Sequence, residues 1–242
     1  NDILLEKRLK QEEVKRITAE KDRDKGAEIL RALLQSMAKF FNSGFNEETV
    51  QDVLNLIGAI ADVSRVYIFR LHKVDNEEVL SQISEWVAEG IEKQIDNEEL
   101  KGVPIYSDEF RGWSEKMIDH QNVIGFTSDF TEPVRTILLE QNIKSLLAIP
   151  IFVKNSWWGF IGFDDCVVYR NWTDAEINAL EMLAYILGGA IYRTEVEEEM
   201  TKMNASLEER VWYRTKELEQ EVIERTIAES LLRDSEEKYR HI

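Results

Sequence analysis

The chain has 242 residues, a formal net charge of −17 and a hydrophobic content of 43%. This acidic balance argues against binding to nucleic acid or to an anionic membrane surface, because both need clustered lysine and arginine. The single cysteine, Cys166, excludes an internal disulfide and suits a reducing compartment. The longest apolar run, residues 146–153, is far too short to cross a bilayer. We therefore expect a cytoplasmic domain without direct membrane contact, in a parent protein that is free to be membrane-attached.

The charge is unevenly distributed along the chain. Residues 1–24 and 195–240 are rich in Glu, Lys and Arg, whereas residues 27–193 carry nearly all the aromatic side chains. This contrast predicts one folded domain between two helical arms. We expect an N-terminal signalling helix (1–25), a sensory domain (26–194), a linker helix (195–234) and the start of a following domain (235–242), all cut from a longer protein. Gly26 is interpreted as a joint.

The first part of the domain predicts two helices. Apolar residues follow a 3.6-residue period over 27–41, and the stretch 42–44 ends that helix. Asn46 is then placed to cap a second helix, which runs to about residue 62.

The middle of the chain predicts a sheet. Residues 64–73 are apolar on both faces, which is typical of a central strand, and 79–87 pair with them as a hairpin after a turn at 75–76. Helices are expected at 108–120 and 132–141, with a strand at 122–126 between them. The strongest hairpin pairs 145–153 with 157–163, where Pro150 indicates an edge, a bulge or a kink. Residues 164–172 are expected to form a loop.

The last helix begins with a capping box, Thr173 followed by Glu176. No stop signal separates it from the C-terminal arm, so Gly188 and Gly189 are interpreted as a close helix contact. The order of elements, hairpins interspersed with helices, predicts an α+β fold with a central antiparallel sheet and helices on one face.

The C-terminal arm carries a thin apolar seam with heptad spacing. A four-residue step between Leu207 and Val211 is a stutter that locally relaxes a supercoil. Such a helix needs a partner, and a second copy of the chain is the favoured one, giving a parallel coiled coil in a homodimer. The residues expected to form the dimer and signalling helices are Leu30, Leu34, Leu187, Ile191, Met200, Met203, Leu207, Val211, Leu218, Val222 and Leu232.

Three stretches of the central part resemble the GAF domain family. These are residues 61–69, the hairpin 145–153 with 157–166, and Trp172 with the closing helix 174–193. The resemblance covers about residues 27–193. It implies a ligand cavity on the sheet face away from the dimer helices, and a fold that dimerises through its terminal helices.

The C-terminal arm resembles the linker helices between sensory domains of bacterial and archaeal sensor histidine kinases. The segments 207–211 and 214–219 carry this likeness, and 235–240 is similar to the opening of a PAS domain. The likeness implies downstream PAS and kinase modules in the same chain.

The sequence favours a non-catalytic role for this segment. It has no Gly-rich phosphate loop after a strand, no HExxH and no CxxC, and metal binding is not predicted. Asp164 and Asp165 are interpreted as loop or turn residues, since neighbouring strand residues point to opposite faces. Candidate pocket residues are aromatic side chains with a few polar anchors, namely Trp86, Trp113, Phe126, Thr127, Ser128, Asp129, Phe130, Trp158, Phe160 and Cys166.

The ligand stays unknown at this level, and two alternatives to an unidentified small molecule remain open. In one, Cys166 attaches or ligates a haem or another tetrapyrrole, as in some GAF sensors, although the bilin-attachment motif of phytochromes is not visible. In the other, the aromatic residues fill the core and the domain is a dimerisation spacer without a ligand.

Overall fold

The computed structural model describes residues 2–107 and 110–240, except for the side chains of 2–9, 11, 14, 15, 17–25 and 236–240. Within this part, the helices are α1 (Asp2–Ser43), α2 (Glu47–Ala61), α3 (Arg111–Ile118), α4 (Val134–Glu140) and α5 (Asp174–Arg240). The strands are β1 (Arg65–Val74), β2 (Glu77–Val87), β3 (Val103–Pro104), β4 (Val123–Phe126), β5 (Ser145–Val153) and β6 (Ser156–Asp165). Two short 3₁₀ turns, Glu98–Leu100 and Thr127–Asp129, complete the elements.

The strands form one six-stranded antiparallel sheet in the order β3-β2-β1-β6-β5-β4. The hairpins β1–β2 and β5–β6 are both present, and β1 lies inside the sheet, as its two apolar faces predict. Pro150 lies in β5 beyond the last residue that pairs with β4, and next to a bulge at residues 151–152. This placement is consistent with a residue that cannot donate to the ladder.

The sheet separates two apolar cores. One face packs against α1, α2 and the first turns of α5, and its core includes Val66, Leu147 and Ile161. The other face is covered by α3, α4 and the connecting segments, and its core includes Tyr67, Leu146 and Phe160. Alternate residues of β1 and β5 enter alternate cores, as the strand period requires. The expected α+β architecture is therefore confirmed, with the long helices together on one face.

The two capping interactions predicted from the sequence are present in the structure. The Asn46 side chain accepts a hydrogen bond from the Thr49 backbone N–H at 3.0 Å and caps α2. Before α5, Thr173 Oγ1 accepts from the Glu176 N–H at 3.3 Å, while the Glu176 carboxylate accepts from the Thr173 N–H at 2.9 Å. Both pairs satisfy helix N–H groups that have no partner within the helix.

Gly188 is the site of a close contact between α5 and the sheet. A Cβ atom built there would lie 2.2 Å from the backbone oxygen of Phe152, whereas one at Gly189 would meet nothing within 4 Å. Within one chain, the expected close contact is therefore present at Gly188 and absent at Gly189.

Several expected boundaries need correction. The strand β6 continues through Asp165, so the loop begins two residues later than expected, because both aspartates are buried and paired with β1 or β5. The helix α1 passes through Gly26 without a break, since a solvent-facing glycine weakens a helix without ending it. The helix expected at 108–120 is shorter, and its residues 108 and 109 lie outside the described part of the chain.

The chain divides into two compact units, residues 1–194 and 195–242. In the second unit, residues 195–240 are helical, and each side chain described there is exposed. Its exposed apolar residues include the seven seam residues from Met200 to Leu232, together with Ile223, Ile227 and Leu231. Among the described helices, none is long and apolar enough to cross a membrane.

Candidate functional site

A small cavity lies on the sheet face that carries α3 and α4. Its volume is about 40 Å³. The wall is mostly apolar, with a polar group at one side. It is formed by Arg65, Tyr67, Phe69, Gln82, Glu85, Gln94, Leu100, Phe110, Trp113, Ile137, Leu138, Gln141, Ile143, Phe160 and Asp164.

A buried ion pair forms the polar side of the cavity. Arg65 at the start of β1 and Asp164 near the end of β6 are register partners, and Arg65 Nη2 lies 3.2 Å from Asp164 Oδ2. Their side chains are 2% and 1% exposed. Arg65 Nη2 also donates to the Gln141 backbone oxygen at 3.1 Å, and the Tyr67 hydroxyl donates to Asp164 Oδ1 at 2.9 Å.

Burial dominates the protonation of this group. It raises the pKa of Asp164 from 3.8 to about 6, against the opposing attraction of the Arg65 charge. Burial, followed by the Asp164 charge, raises the pKa of the Tyr67 hydroxyl well above its usual value. Tyr67 is therefore a neutral donor to Asp164, and Asp164 titrates closer to neutral pH than an exposed aspartate.

A second carboxylate, Glu85, anchors the segment that follows β2. Its oxygens accept hydrogen bonds from the backbone N–H of Gln94 at 2.9 and 3.0 Å and from that of Ile95 at 3.0 Å. Glu85 therefore ties the 88–97 segment to the sheet beside the cavity, and it adds a negative charge to the wall.

Of the predicted pocket residues, Trp113 and Phe160 line the cavity. Phe130 and Cys166 pack against the same core, and the rings of Trp113 and Phe130 are 5.8 Å apart. These four residues are brought together on the cavity side of the sheet.

Trp86 and Trp158 lie on the opposite face, against α1, α2 and α5. The Trp86 ring occupies the space beside Gly58 of α2, where a Cβ atom would lie 2.1 Å from a ring carbon. The Trp158 ring meets that of Phe45 edge-on at 5.7 Å. Both are partly buried and pack against the core of the face that carries α1, α2 and α5. Trp158 reaches that face at a bulge, since Ile151 pairs with Gly159 and Phe152 with Trp157.

The predicted polar anchors have local structural partners. The Thr127 hydroxyl donates to the Ile143 backbone oxygen, and the Asp129 carboxylate accepts from the Phe126 N–H at 2.8 Å. Ser128 is exposed, and the Phe126 ring lies edge-on to that of Tyr169. The cavity wall includes none of the residues 126–129, whose contacts shape the 3₁₀ turn after β4.

Cys166 is half-buried immediately after β6. Its backbone N–H donates to Ser64 Oγ at 2.9 Å, and burial raises the pKa of its thiol. A raised pKa disfavours the thiolate, which is the nucleophilic and metal-binding form. The described residues also contain no group of three or more His, Cys, Asp or Glu side chains that could hold a metal ion.

A larger apolar groove lies on the outer surface of α1 and the first turns of α5. Its volume is about 350 Å³, and its wall is Met37, Phe40, Phe41, Met182, Tyr185, Ile186, Gly189, Ala190 and Arg193. Phe41 and Tyr185 are 70% and 76% exposed, and the Arg193 guanidinium lies over the Phe41 ring. A contiguous exposed apolar surface of this kind marks an interaction site.

The predicted dimer residues divide between this surface and the core. Leu30 and Leu34 are exposed on α1, although neither belongs to the groove wall. Leu187 and Ile191 are 0% and 3% exposed and pack in the core beneath α5, so they do not reach the surface. On this part of α5 the exposed large hydrophobic residues are instead Met182, Tyr185 and Tyr192.

Contacts at one end of β5 connect the cavity face of the sheet with α5, which carries part of the groove. After α3, the His120 ring stacks on that of Phe152 at 3.8 Å, and Phe152 holds the backbone oxygen that touches Gly188 of α5. Asn122 Nδ2 donates to Glu181 Oε1 of α5 at 2.6 Å. The helix that supplies Trp113 to the cavity wall is therefore joined to α5 by residues just beyond its C-terminal end.

Sequence reasoning missed the polar wall of the cavity. Arg65 is the first residue of β1, and Asp164 lies next to the last residue of β6. Both strands are strongly apolar, and they pair with each other. Charged residues in such positions are expected to be partners, because a buried charge is rarely tolerated alone. Gln82 and Glu85 had no comparable signal, since β2 is polar at many positions.

The GAF domain family matches residues 46–191 of the chain. Two similar proteins are histidine kinases. The chain is 34% identical over 195 residues, 78% of its length, to the methanogenesis regulatory histidine kinase FilI of Methanothrix harundinacea. It is 37% identical over 76 residues, 31% of its length, to the circadian input-output histidine kinase CikA of Thermosynechococcus vestitus. The matched region spans 22% of the first relative and 10% of the second.

Solved structures with the same fold include two bilin-bound domains. The phycocyanobilin-bound GAF domain from a cyanobacterial phytochrome superposes with a TM-score of 0.59 at 18% identity, covering 70% of this chain and 96% of that one. The phycoerythrobilin-bound GAF domain from a cyanobacterial phytochrome gives 0.60 at 16% identity, covering 71% and 98%. At such identities the likeness describes the fold alone.

Proposed function

Since this chain belongs to the GAF domain family, we propose that it is the non-catalytic sensory domain of a multidomain signal-transduction protein, a sensor histidine kinase. A small molecule binds in the cavity, and a parallel homodimer of the chain passes the resulting change along α5 to downstream PAS and kinase modules. Two relatives named as histidine kinases support the class of parent protein.

The observation that carries this proposal is the arrangement of one protomer around its sheet. A partly polar cavity lies on one face, an exposed apolar groove lies on the other, and short contacts at the sheet edge join them. A shift of α3 that follows a change in the cavity would reach α5 through Asn122–Glu181 and His120–Phe152. Small shifts become large responses when packed elements have two discrete arrangements.

A second copy of the chain is the occupant that best fits the groove. The wall is apolar apart from Arg193, whose guanidinium already contacts Phe41. The same helix continues into the exposed seam of residues 196–232, which also needs an apolar partner. In a two-fold dimer each copy presents the same patch to the other, so a second copy supplies an apolar partner for the groove and for the seam. Leu30, Leu34, Met182 and Tyr185 are then interface residues.

The alternative of a tetrapyrrole does not fit this site. Pockets that enclose drug-sized ligands are roughly 300–1,000 Å³, whereas the cavity is about 40 Å³. Cys166 does not line the cavity, and its thiol has a raised pKa. We therefore assign no haem or bilin to this chain.

The proposal is tested first by native mass spectrometry of the 242-residue chain beside the same sample denatured. A dimer that carries extra mass, lost on denaturation, supports a reversible ligand in a dimeric sensor. Mass that survives denaturation would restore covalent attachment at Cys166. A bare dimer would favour a helix relay or a dimerisation spacer.

A matched pair of variants tests the dimer surface. Tyr185→Glu places a charge in the groove and is expected to convert the dimer to monomer, or to raise the dimer Kd at least about tenfold. Tyr106→Glu makes the same change at a tyrosine that is 57% exposed outside the groove. It should leave the dimer unchanged in sedimentation velocity. If the two variants dimerise with the same Kd, the groove is not the dimer interface.

A further inference from the structure

Gly189 is an exposed glycine inside the helix α5, and contacts within one chain do not explain it. A Cβ atom built there would have no described neighbour within 4 Å, whereas one at Gly188 would meet the backbone oxygen of Phe152. The backbone of Gly189 is helical, so no left-handed conformation requires glycine either. In a helix interior glycine is less favourable than every residue except proline. A single copy of the chain therefore gives no reason for a glycine at this position.

Gly189 belongs to the wall of the apolar groove between α1 and α5. Ala190 follows it in the same wall, so these two residues together contribute one side-chain carbon atom. The other residues of the wall have large side chains, Met37, Phe41 and Met182 among them. We call Gly189 and Ala190 the notch, because side chains fill the groove least at these two positions.

The sequence of α5 has a period of seven residues that runs through the notch. One series is Met182, Gly189, Val196 and Met203, and the other is Ile186, Arg193, Met200 and Leu207. The two series alternate by steps of four and three residues, as the d and a positions of a heptad do. The charged member is Arg193, whose guanidinium donates to the Phe41 backbone oxygen of its own chain at 2.7 Å. The α5 wall of the groove and the apolar seam of the C-terminal arm therefore have the same register in the sequence.

This register places Tyr185 of one copy opposite the notch of the other. Tyr185 directly precedes an a position and is a g residue, which in a parallel pair of helices faces the e residue five positions later in the second helix. That e residue is Ala190. The Tyr185 side chain is 76% exposed in one chain, and an aromatic ring of this size buries a large apolar area when it is covered.

We propose that the Tyr185 ring of each copy packs over Gly189 and Ala190 of the second copy, and that Gly189 fixes the register of the parallel dimer. A larger side chain at residue 189 would occupy the space that the ring needs. This inference rests on the proposed dimeric sensor and names the contact that sets its geometry.

Filling the notch tests this contact. Gly189→Leu is expected to raise the dimer Kd at least about tenfold in sedimentation equilibrium, which corresponds to about 1.4 kcal/mol. Gly112→Leu adds the same side chain at an exposed helix glycine outside the groove wall, where a Cβ atom would also have no described neighbour, and should leave the Kd unchanged. In the Tyr185→Glu chain, which is expected to be monomeric, Gly189→Leu should raise the equilibrium constant of folding about three- to fivefold, because leucine is the better helix former.

A disulfide tests the register by a second route. In a Cys166→Ser chain, Gly189→Cys places one thiol in each copy at facing d positions of the parallel pair. A disulfide joins residues whose Cα atoms are about 4.4–6.8 Å apart, so mild oxidation should give a covalent dimer on a non-reducing gel. Gly112→Cys in the same background should stay monomeric on that gel.

Three results would overturn the contact. If the parent chain dimerises and Gly189→Leu leaves its Kd unchanged, the notch lies outside the interface and the proposed sensory function stands. A loss of stability on Gly189→Leu in the monomeric background would show that a contact within one chain requires the glycine. Failure of Gly189→Cys to cross-link in a chain that dimerises would exclude the parallel register. A parent chain that stays monomeric would refute the dimeric sensor itself, and this inference with it.

Discussion

The buried pair Arg65–Asp164 leads to an unusual prediction about pH. Removing one partner of a buried ion pair costs about 3–5 kcal/mol, because the other charge stays buried without compensation. The two residues differ in whether they can become neutral when the partner is removed. An aspartate can take up a proton and become neutral, whereas an arginine cannot lose its proton. We therefore expect Arg65→Met and Asp164→Asn to respond to pH in opposite directions.

The magnitudes follow from the pKa of Asp164, which is 3.8 without burial and about 6 in the fold. A carboxyl whose pKa is raised by folding contributes stability below that pKa and loses it as the pH rises. In Arg65→Met the pKa of Asp164 rises further, so the variant gains more stability from pH 7.5 to pH 5.5 than the parent chain does, with a ceiling of about 3 kcal/mol for one proton over two pH units. The parent chain gains about 1 kcal/mol over the same range. The cost of Arg65→Met should therefore fall, by up to about 2 kcal/mol.

Asp164→Asn has no titrating group at this position. Its cost relative to the parent should therefore grow by about 1 kcal/mol as the pH falls from 7.5 to 5.5. The free energy of unfolding is measured by urea denaturation at both pH values and at one fixed protein concentration, since dimerisation contributes to stability.

The exposed pair Lys39–Asp52 provides the control, because its side chains are 43% and 50% exposed. Lys39→Met should cost less than about 1 kcal/mol at either pH. If the costs of Arg65→Met and Asp164→Asn change in the same direction with pH, the reasoning from the buried pair is refuted.

Three further predictions follow. Gly188→Ala should lower the free energy of unfolding by about 1–3 kcal/mol in urea denaturation, because the new Cβ atom would clash with the backbone oxygen of Phe152. Gly189→Ala is the control: its Cβ atom would have no neighbour within 4 Å, so the monomer should be equally or more stable. Equal losses of stability in the two variants would contradict the close contact at Gly188. Cys166 should react with iodoacetamide at pH 7.5 more than about tenfold more slowly in the folded chain than in guanidinium, as followed by mass spectrometry; equal rates would show an accessible thiolate. Replacing Leu207 and Leu218 together with lysine should weaken dimerisation in sedimentation equilibrium, and an unchanged Kd would place the interface elsewhere.

Elements controlled by neighbouring residues were predictable from the sequence. The Asn46 cap and the Thr173–Glu176 capping box depend on side chains three residues apart, and both are present. The hairpin of β5 and β6 depends on two apolar strands joined by a short turn. These signals operate within a few residues, so their outcome is largely independent of the rest of the fold.

The composition of the candidate site depended on the tertiary structure. A strand period of two predicts that neighbouring residues face opposite sides, but it does not say which side the long helices cover. The period also fails at a bulge: Trp158 and Phe160 are two residues apart on β6, yet Trp158 packs against the core beside α1, α2 and α5 while Phe160 lines the cavity, because the pairing with β5 shifts register between Trp157 and Gly159. The helical period likewise does not say which face of α5 packs on the sheet. Leu187 and Ile191 of α5 were predicted to lie in the dimer interface, but they are buried in the core.

The sequence by itself determined the family, the hairpins, the capped helices and the apolar seam of the C-terminal arm. Only the tertiary structure decided that Asp164 is a buried partner of Arg65 and not a loop residue. The hydrogen bond between Tyr67 and Asp164 joins residues that are 97 positions apart in the chain. Such a pairing depends on strand register and burial, which arise when the whole sheet forms, so no local pattern in the sequence carries it.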